Sequence, residues 1–150
     1  MANVLRISEA ASLALHTMVL LARKPEERLS TKEIAGVLKV SEAHLSKVLQ
    51  RLGRVGLVNA TRGPNGGFMV EKDPNGVTLL EVYEAIEGPL NSSNCLLGTP
   101  ICDGGEKCIL GNLLEDINKE VKEYLSGTTI SELTDVYGSD ETDAQEDNRD

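Results

Sequence analysis

The residues best able to do chemistry in this chain are its only three cysteines, Cys95, Cys102 and Cys108, which fall together in the stretch CLLGTPICDGGEKC. Six residues separate the first pair and five the second. Three thiols in one glycine-rich loop with acidic neighbours suit metal binding, thiol redox chemistry, or no more than small buried side chains. Zinc sites mostly show paired CxxC spacing, which is absent here, so zinc and bare-thiol sensing stand as alternatives. An odd number of cysteines in a chain expected to be cytoplasmic argues against a disulfide framework. An enzyme with a thiol nucleophile is a poor reading. The two histidines, the only ordinary bases for a thiol, are distant from the cysteines in sequence, and no glycine-rich phosphate loop or paired catalytic motif occurs.

The elements that must position these thiols follow from hydrophobic periodicity. A chain of 150 residues suits one domain that needs no disulfides. Hydrophobic residues make up 40% and aromatics only 3%, so the core is aliphatic and the fold is expected to be mainly α. Ile7, Ala11, Ala14, Met18 and Leu21 recur at helical spacing, and Pro25 closes this first helix. Ser30 with Glu33 forms a capping box that opens a short second helix, with Ile34, Val37 and Leu38 inward. Lys39 and Val40 link it to a third helix, capped by Ser41, in which Leu45, Val48, Leu49, Leu52 and Val55 make one buried stripe that ends at Gly56. Two helices joined so tightly form a helix-turn-helix pattern. LVNATRGPNGGFMV then alternates on both sides of a Gly-Pro-Asn-Gly-Gly turn, a β-hairpin signal. The expected architecture is a winged helix-turn-helix, with the hairpin as its wing.

Asp73-Pro74-Asn75-Gly76 makes a turn, and Thr78 with Glu81 forms a second capping box for a fourth helix stopped by Gly88-Pro89. Beyond the cysteines, Leu110, Leu113, Leu114, Ile117, Val121 and Leu125 predict a long amphipathic dimerisation helix from about Glu106 to Leu125. TTISELTDVY adds a short capped segment. The division that follows is a DNA-binding winged helix-turn-helix over 1–76, a helix, cysteine loop and dimerisation helix over 77–137, and an acidic disordered tail over 138–150. No targeting segment and no apolar run long enough to span a membrane occurs, so no membrane role is expected.

The net charge of -9 hides an asymmetry. Residues 1–75 carry 11 Lys and Arg against 7 Asp and Glu, whereas residues 76–150 carry 4 against 17. A basic front can meet phosphate while an acidic back is repelled, which orients binding. On the third helix, the face opposite the apolar stripe presents Ser41, Ala43, His44, Ser46, Lys47, Gln50, Arg51 and Arg54. Ser and Gln can hydrogen-bond base edges, and Lys47, Arg51 and Arg54 can neutralise phosphates. Arg62 and Asn65 sit at the wing tip, where an arginine suits the minor groove or a phosphate. Any solvated helix face shows such residues; the turn, the caps and the wing together point to DNA. A winged helix used to bind protein, with a structural metal, is the other reading.

LALH in the first helix, SEAHLSKVLQRLGRVGLV, RGPNGG, TLLEVYEAIEGP and three cysteines before a long helix form a specific combination. Over roughly residues 4–136 it resembles the winged-helix iron–sulfur and nitric-oxide responsive transcription regulators, the IscR/NsrR/RsrR-like family. The resemblance implies a homodimer paired through the long C-terminal helix. It also implies a double-stranded DNA operator bound with one winged helix per half-site, and repression controlled by redox, nitric oxide or iron–sulfur status. The cofactor implied is an iron–sulfur cluster, 2Fe–2S or 4Fe–4S, held by Cys95, Cys102 and Cys108. Gly98, Gly104 and Gly105 would let the loop wrap the sulfurs around it. The family's histidine three residues after the last cysteine is Gly111 here, and its base-reading glutamate is Ser46. A further ligand is then implied at His16, which stands in LALH where one branch of the family uses a histidine. Ser12 matches the family's N-terminal carboxylate ligand. Glu9, Ser12 and His16 share one helix face, which makes Glu9 an alternative oxygen ligand, with Asp103 and Glu106 behind it.

Overall fold

Ser8 opens the first helix, α1 (Glu9–Ala22), its hydroxyl oxygen accepting the Ala11 N–H at 3.0 Å. The computed structural model describes residues 7–90 and 108–138. Cys95, Cys102, the loop glycines, Asp103, Glu106 and the tail from residue 139 lie outside the described residues. One apolar face was expected on α1, but Leu13, Thr17, Val19 and Leu20 are buried as well as Ala11, Ala14, Met18 and Leu21. The reason is that α1 is central: the second, third and fourth helices, the second wing strand and the C-terminal segment all pack against it. Ile7, before the cap, is exposed.

In α2 (Thr31–Leu38) the expected capping box forms. Ser30 Oγ accepts the Glu33 N–H at 3.1 Å, and the Glu33 carboxylate accepts the Ser30 N–H at 2.7 Å. These bonds, the one from the Ser30 backbone first, hold the Glu33 carboxyl below the usual carboxylate range. Ile34 and Ala35 are buried, whereas Val37, expected inward, is 52% exposed. The helix is only eight residues long, and Val37 sits at its rim over a cleft of about 200 Å³ shared with Leu20, Leu21 and Leu29. Lys39, left-handed at φ 54°, then turns the chain into α3 (Glu42–Arg54).

Ser41 caps α3 through the His44 N–H at 3.2 Å, and Leu45, Val48, Leu49 and Leu52 are buried as expected. Val55 is instead 50% exposed. It falls after the helix has ended; Gly56, at φ 76°, reverses the chain so that Leu57 enters the core with its N–H on the Leu52 carbonyl at 3.0 Å.

The wing is β1 (Val58–Thr61) antiparallel to β2 (Gly67–Val70), in register from Val58↔Val70 to Thr61↔Gly67. Its turn admits only glycine at two places. A Cβ on Gly66 would lie 2.1 Å from the Thr61 carbonyl oxygen, and one on Gly67, at φ 149°, 2.7 Å from that of Leu29. Leu29 exchanges backbone hydrogen bonds with Phe68 at 3.0 and 2.8 Å, bracing the wing against the α1–α2 linker.

A 3-10 turn at Pro74–Gly76 precedes α4 (Leu79–Glu87). Thr78 accepts the Glu81 N–H at 3.1 Å, but the Glu81 carboxylate pairs with Lys72 at 2.5 Å rather than returning to the cap. Only half of the second capping box therefore forms. Among the described residues the long helix α5 (Leu113–Gly127) begins well after Glu106, because Gly111 is left-handed at φ 55° and Cys108–Gly111 is turned chain. The Leu79 N–H bonds the Thr128 carbonyl at 2.9 Å and the Ile130 N–H the Val77 carbonyl at 3.0 Å, tying the end of α5 to the start of α4. A Thr129–Glu132 capping box opens a last 3-10 segment, Ile130–Tyr137. Among the described residues no helix is long and apolar enough to cross a membrane.

Candidate nucleic-acid interface and thiol region

The outward face of α3 is built by its own amphipathicity. With four leucine and valine side chains anchored in the core, Ala43, Lys47, Gln50, Arg51 and Arg54 are left exposed, along with the cap Ser41. His44 and Ser46 are half-buried. Arg62 and Asn65 are exposed at the wing turn, as expected. Among the described residues, Lys47, Arg54 and Arg62 have no ion-pair partner, whereas Lys24, Lys72 and Lys119 are paired with Glu27, Glu81 and Glu123. Unpaired cations beside a glycine-rich turn can meet phosphate without first breaking a salt bridge.

Two members of the predicted set have internal partners. His44 Nδ1 lies 3.9 Å from the Glu9 carboxylate, across from the first turn of α1. Arg51, expected to neutralise phosphate, donates from Nη2 to the Ile86 carbonyl at 2.5 Å, at the C-terminal end of α4. Two residues that sequence reading missed also support the wing. Arg28 Nη1 donates to Asn59 Oδ1 at 3.3 Å, and Leu29 makes the bridge to Phe68. An apolar residue just before a capping serine, where Leu29 stands, is a known entry signal for a helix; its partner on β2 is not visible in sequence.

Of the thiols, only Cys108 is described, half-buried in the turn before α5. Glu9, Ser12 and His16, expected on one helix face, do line one cleft of about 230 Å³ with Leu13, Leu38 and Val40. His16 is exposed, and its Nδ1 is 2.7 Å from the Ser12 carbonyl oxygen. A carbonyl can only accept, so Nδ1 is the donor, and in the neutral ring Nε2 is then the nitrogen whose lone pair a metal would need. This is the arrangement that orients many metal-ligating histidines; the cleft offers one imidazole and one carboxylate, and its lining contains no thiol. Among the described residues no three His, Cys, Asp or Glu side chains gather closely enough to hold a metal ion by themselves.

Comparison with known proteins adds to this geometry. The family described as Rrf2, iron-dependent transcriptional regulator, matches residues 7–136. A protein of Aquifex aeolicus named as an HTH-type transcriptional regulator is 28% identical over 131 residues, 86% of this chain and 91% of its own. The HTH-type transcriptional regulator IscR of Klebsiella pneumoniae is 32% identical over 94 residues, 63% of this chain but only 57% of IscR, little more than half its length. Among solved structures, CymR, the global cysteine regulator of B. subtilis, matches with a TM-score of 0.73 at 28% identity, covering 88% of this chain and 98% of CymR. The IscR of T. potens matches with 0.69 at 24% identity, covering 89% of each chain, a likeness of fold. These relatives are named as regulators, not enzymes.

Proposed function

The chain belongs to the Rrf2 family of transcriptional regulators, and we propose that it acts in the cytoplasm as a homodimeric repressor whose operator affinity is set by an iron–sulfur cluster. The observation that carries the DNA half of this reading is the exposed α3 face, with Lys47 and Arg54 unpaired, beside a wing bearing Arg62. In the mechanism, α3 enters the major groove of double-stranded DNA. Ser41, Ala43, His44, Ser46 and Gln50 approach base edges, Lys47 and Arg54 hold phosphates, and Arg62 and Asn65 reach the flanking groove. Residues 1–76 read DNA, while 77–137 sense and pair.

Dimerisation is supported by α5, of whose apolar residues only Leu125 is buried, while Leu113 and Tyr124 are 52% and 59% exposed. A second copy of the chain is the occupant proposed for that face, and it fixes the separation of the two α3 helices. Half-sites lie about one DNA turn apart, so a small change of separation weakens binding.

Cys95, Cys102 and Cys108 would hold the cluster, with His16 as the fourth ligand and Glu9 as its alternative. A bound cluster supplies a group whose redox state or loss changes the charge and tethering of its thiolates. A second reading, sensing by bare thiols, is favoured by the overall likeness to CymR, named as a cysteine regulator. The test is the absorption spectrum of protein purified without oxygen, with iron, acid-labile sulfide and zinc assayed on the same sample. Visible bands with matched iron and sulfide, weakened in His16→Ala, are expected. Colourless protein that stays so after reconstitution would overturn the cluster reading, and its zinc content would then separate a structural metal from bare thiols.

A further inference from the structure

The C-terminal turn of α4 is a junction. Ser8, the cap of α1, donates its hydroxyl to the Glu87 carboxylate. The Glu84 carboxylate accepts the Leu90 N–H at 3.1 Å, and Arg51 of α3 donates to the Ile86 carbonyl at 2.5 Å. Leu90 is the last described residue before the segment that holds Cys95 and Cys102. One turn of helix is thus bonded at once to the entry of α1, to the DNA-facing helix and to the root of the thiol-bearing segment.

The Arg51 link has a specific electrostatic cause. A helix C-terminus leaves carbonyls without intrahelical partners and carries partial negative charge. The last turn of α4 adds Glu84 and Glu87 and has no basic residue of its own. The cation that offsets this charge comes from α3, and Arg51 lies one turn from Lys47 and beside Gln50 on that helix.

We infer that Arg51 is a positioning residue that carries the state of the thiol-bearing segment to the DNA-reading helix through the Ile86 carbonyl. This rests on the reading of α3 as the DNA-facing element and of the cysteines as the sensor, but it does not require a cluster. A displacement at the root of that segment moves the end of α4, and the bond transmits it to the middle of α3, where Lys47 and Gln50 face outward.

The test is amide hydrogen exchange on the full-length protein as isolated, and again with its thiols blocked by N-ethylmaleimide. In the wild type, blocking should change exchange over both 79–90 and 42–54, roughly fivefold or more in each. Arg51→Gln should keep the response over 79–90 and lose it over 42–54. Arg51→Lys, which retains a charged donor, should keep much of both. A purely structural arginine would lower protection in both states alike and leave the response to blocking intact. Should Arg51→Gln lose its native circular dichroism, Arg51→Met, which preserves the apolar stem, takes its place. Indifference of 42–54 to blocking in the wild type, or a full response there without Arg51, would overturn the inference. Because N-ethylmaleimide acts on the thiols themselves, failure of the cluster reading leaves this result untouched, and failure of this coupling leaves the cluster spectrum untouched.

Discussion

Helices α3 and α5 are both amphipathic and of similar length, 13 and 15 residues, yet the chain treats them in opposite ways. In α3 the apolar stripe is buried by the chain itself, and the face left over is polar and cationic. In α5 one leucine is buried, and the remaining apolar side chains are half-buried or exposed, with Ile109 just before it 96% exposed. A helix whose apolar face is satisfied offers its polar face to a ligand. One whose apolar face is not satisfied needs another surface, since exposed apolar area is unfavourable in water. The difference agrees with the proposed roles, α3 for DNA and α5 for a second copy, and with the charge asymmetry of the two halves.

Leu49→Ala, at a fully buried site on α3, should lower the unfolding free energy by about 3 kcal/mol, by the same amount at every protein concentration, as chemical denaturation would show. Leu113→Glu, on the exposed face of α5, should leave each chain folded but weaken dimerisation about 100-fold, or about 2.7 kcal/mol, read by sedimentation equilibrium. A Leu113→Glu protein that stays dimeric would remove the contrast between the two helices. Lys47→Ala should weaken binding to duplex DNA by about 1 kcal/mol and make its salt dependence shallower by about one unit, measured by fluorescence anisotropy over a salt series.

The smallest expected effect concerns the contact between the C-terminal segment and α1. The Tyr137 hydroxyl donates to the His16 carbonyl at 3.0 Å, and burial pushes its pKa up to about 12. Because the folded value lies above the ordinary 10.0, the stabilisation is fully present below pH 10 and is lost as pH rises toward 12. Tyr137→Phe should cost about 0.5 kcal/mol at neutral pH and flatten that alkaline decline, as thermal unfolding across the range would show.

Much of this was legible in the sequence because it is local. The Ser30–Glu33 box, the Ser41 cap and the stripe of α3 depend on residues three and four apart, and they form as read. So does the shared face of Glu9, Ser12 and His16. What differs depends on contacts made from elsewhere in the chain, or on glycines that turn it back. Periodicity places Val37 and Val55 inward, but one overhangs a rim and the other ends the helix just before a glycine reversal. Glu81 has the right spacing for a capping box, yet Lys72 offers its carboxylate a stronger partner. Arg51 is exposed as read, and only its internal partner, the Ile86 carbonyl, becomes visible once α4 is folded beside it. The start of α5 was placed too early because a leucine period continues through Leu110, whereas the left-handed Gly111 interrupts the helix.

The most direct test of the central claim is the affinity of one duplex, selected by the protein from a random library, for the protein in two states at a single salt concentration: with its thiols occupied by the cluster, and after the cluster has been removed. The affinities should differ at least about tenfold, a coupling of about 1.4 kcal/mol, within the range of ordinary allosteric linkage. Equal affinities in the two states would contradict it, leaving a winged-helix DNA binder whose cysteines do not regulate it.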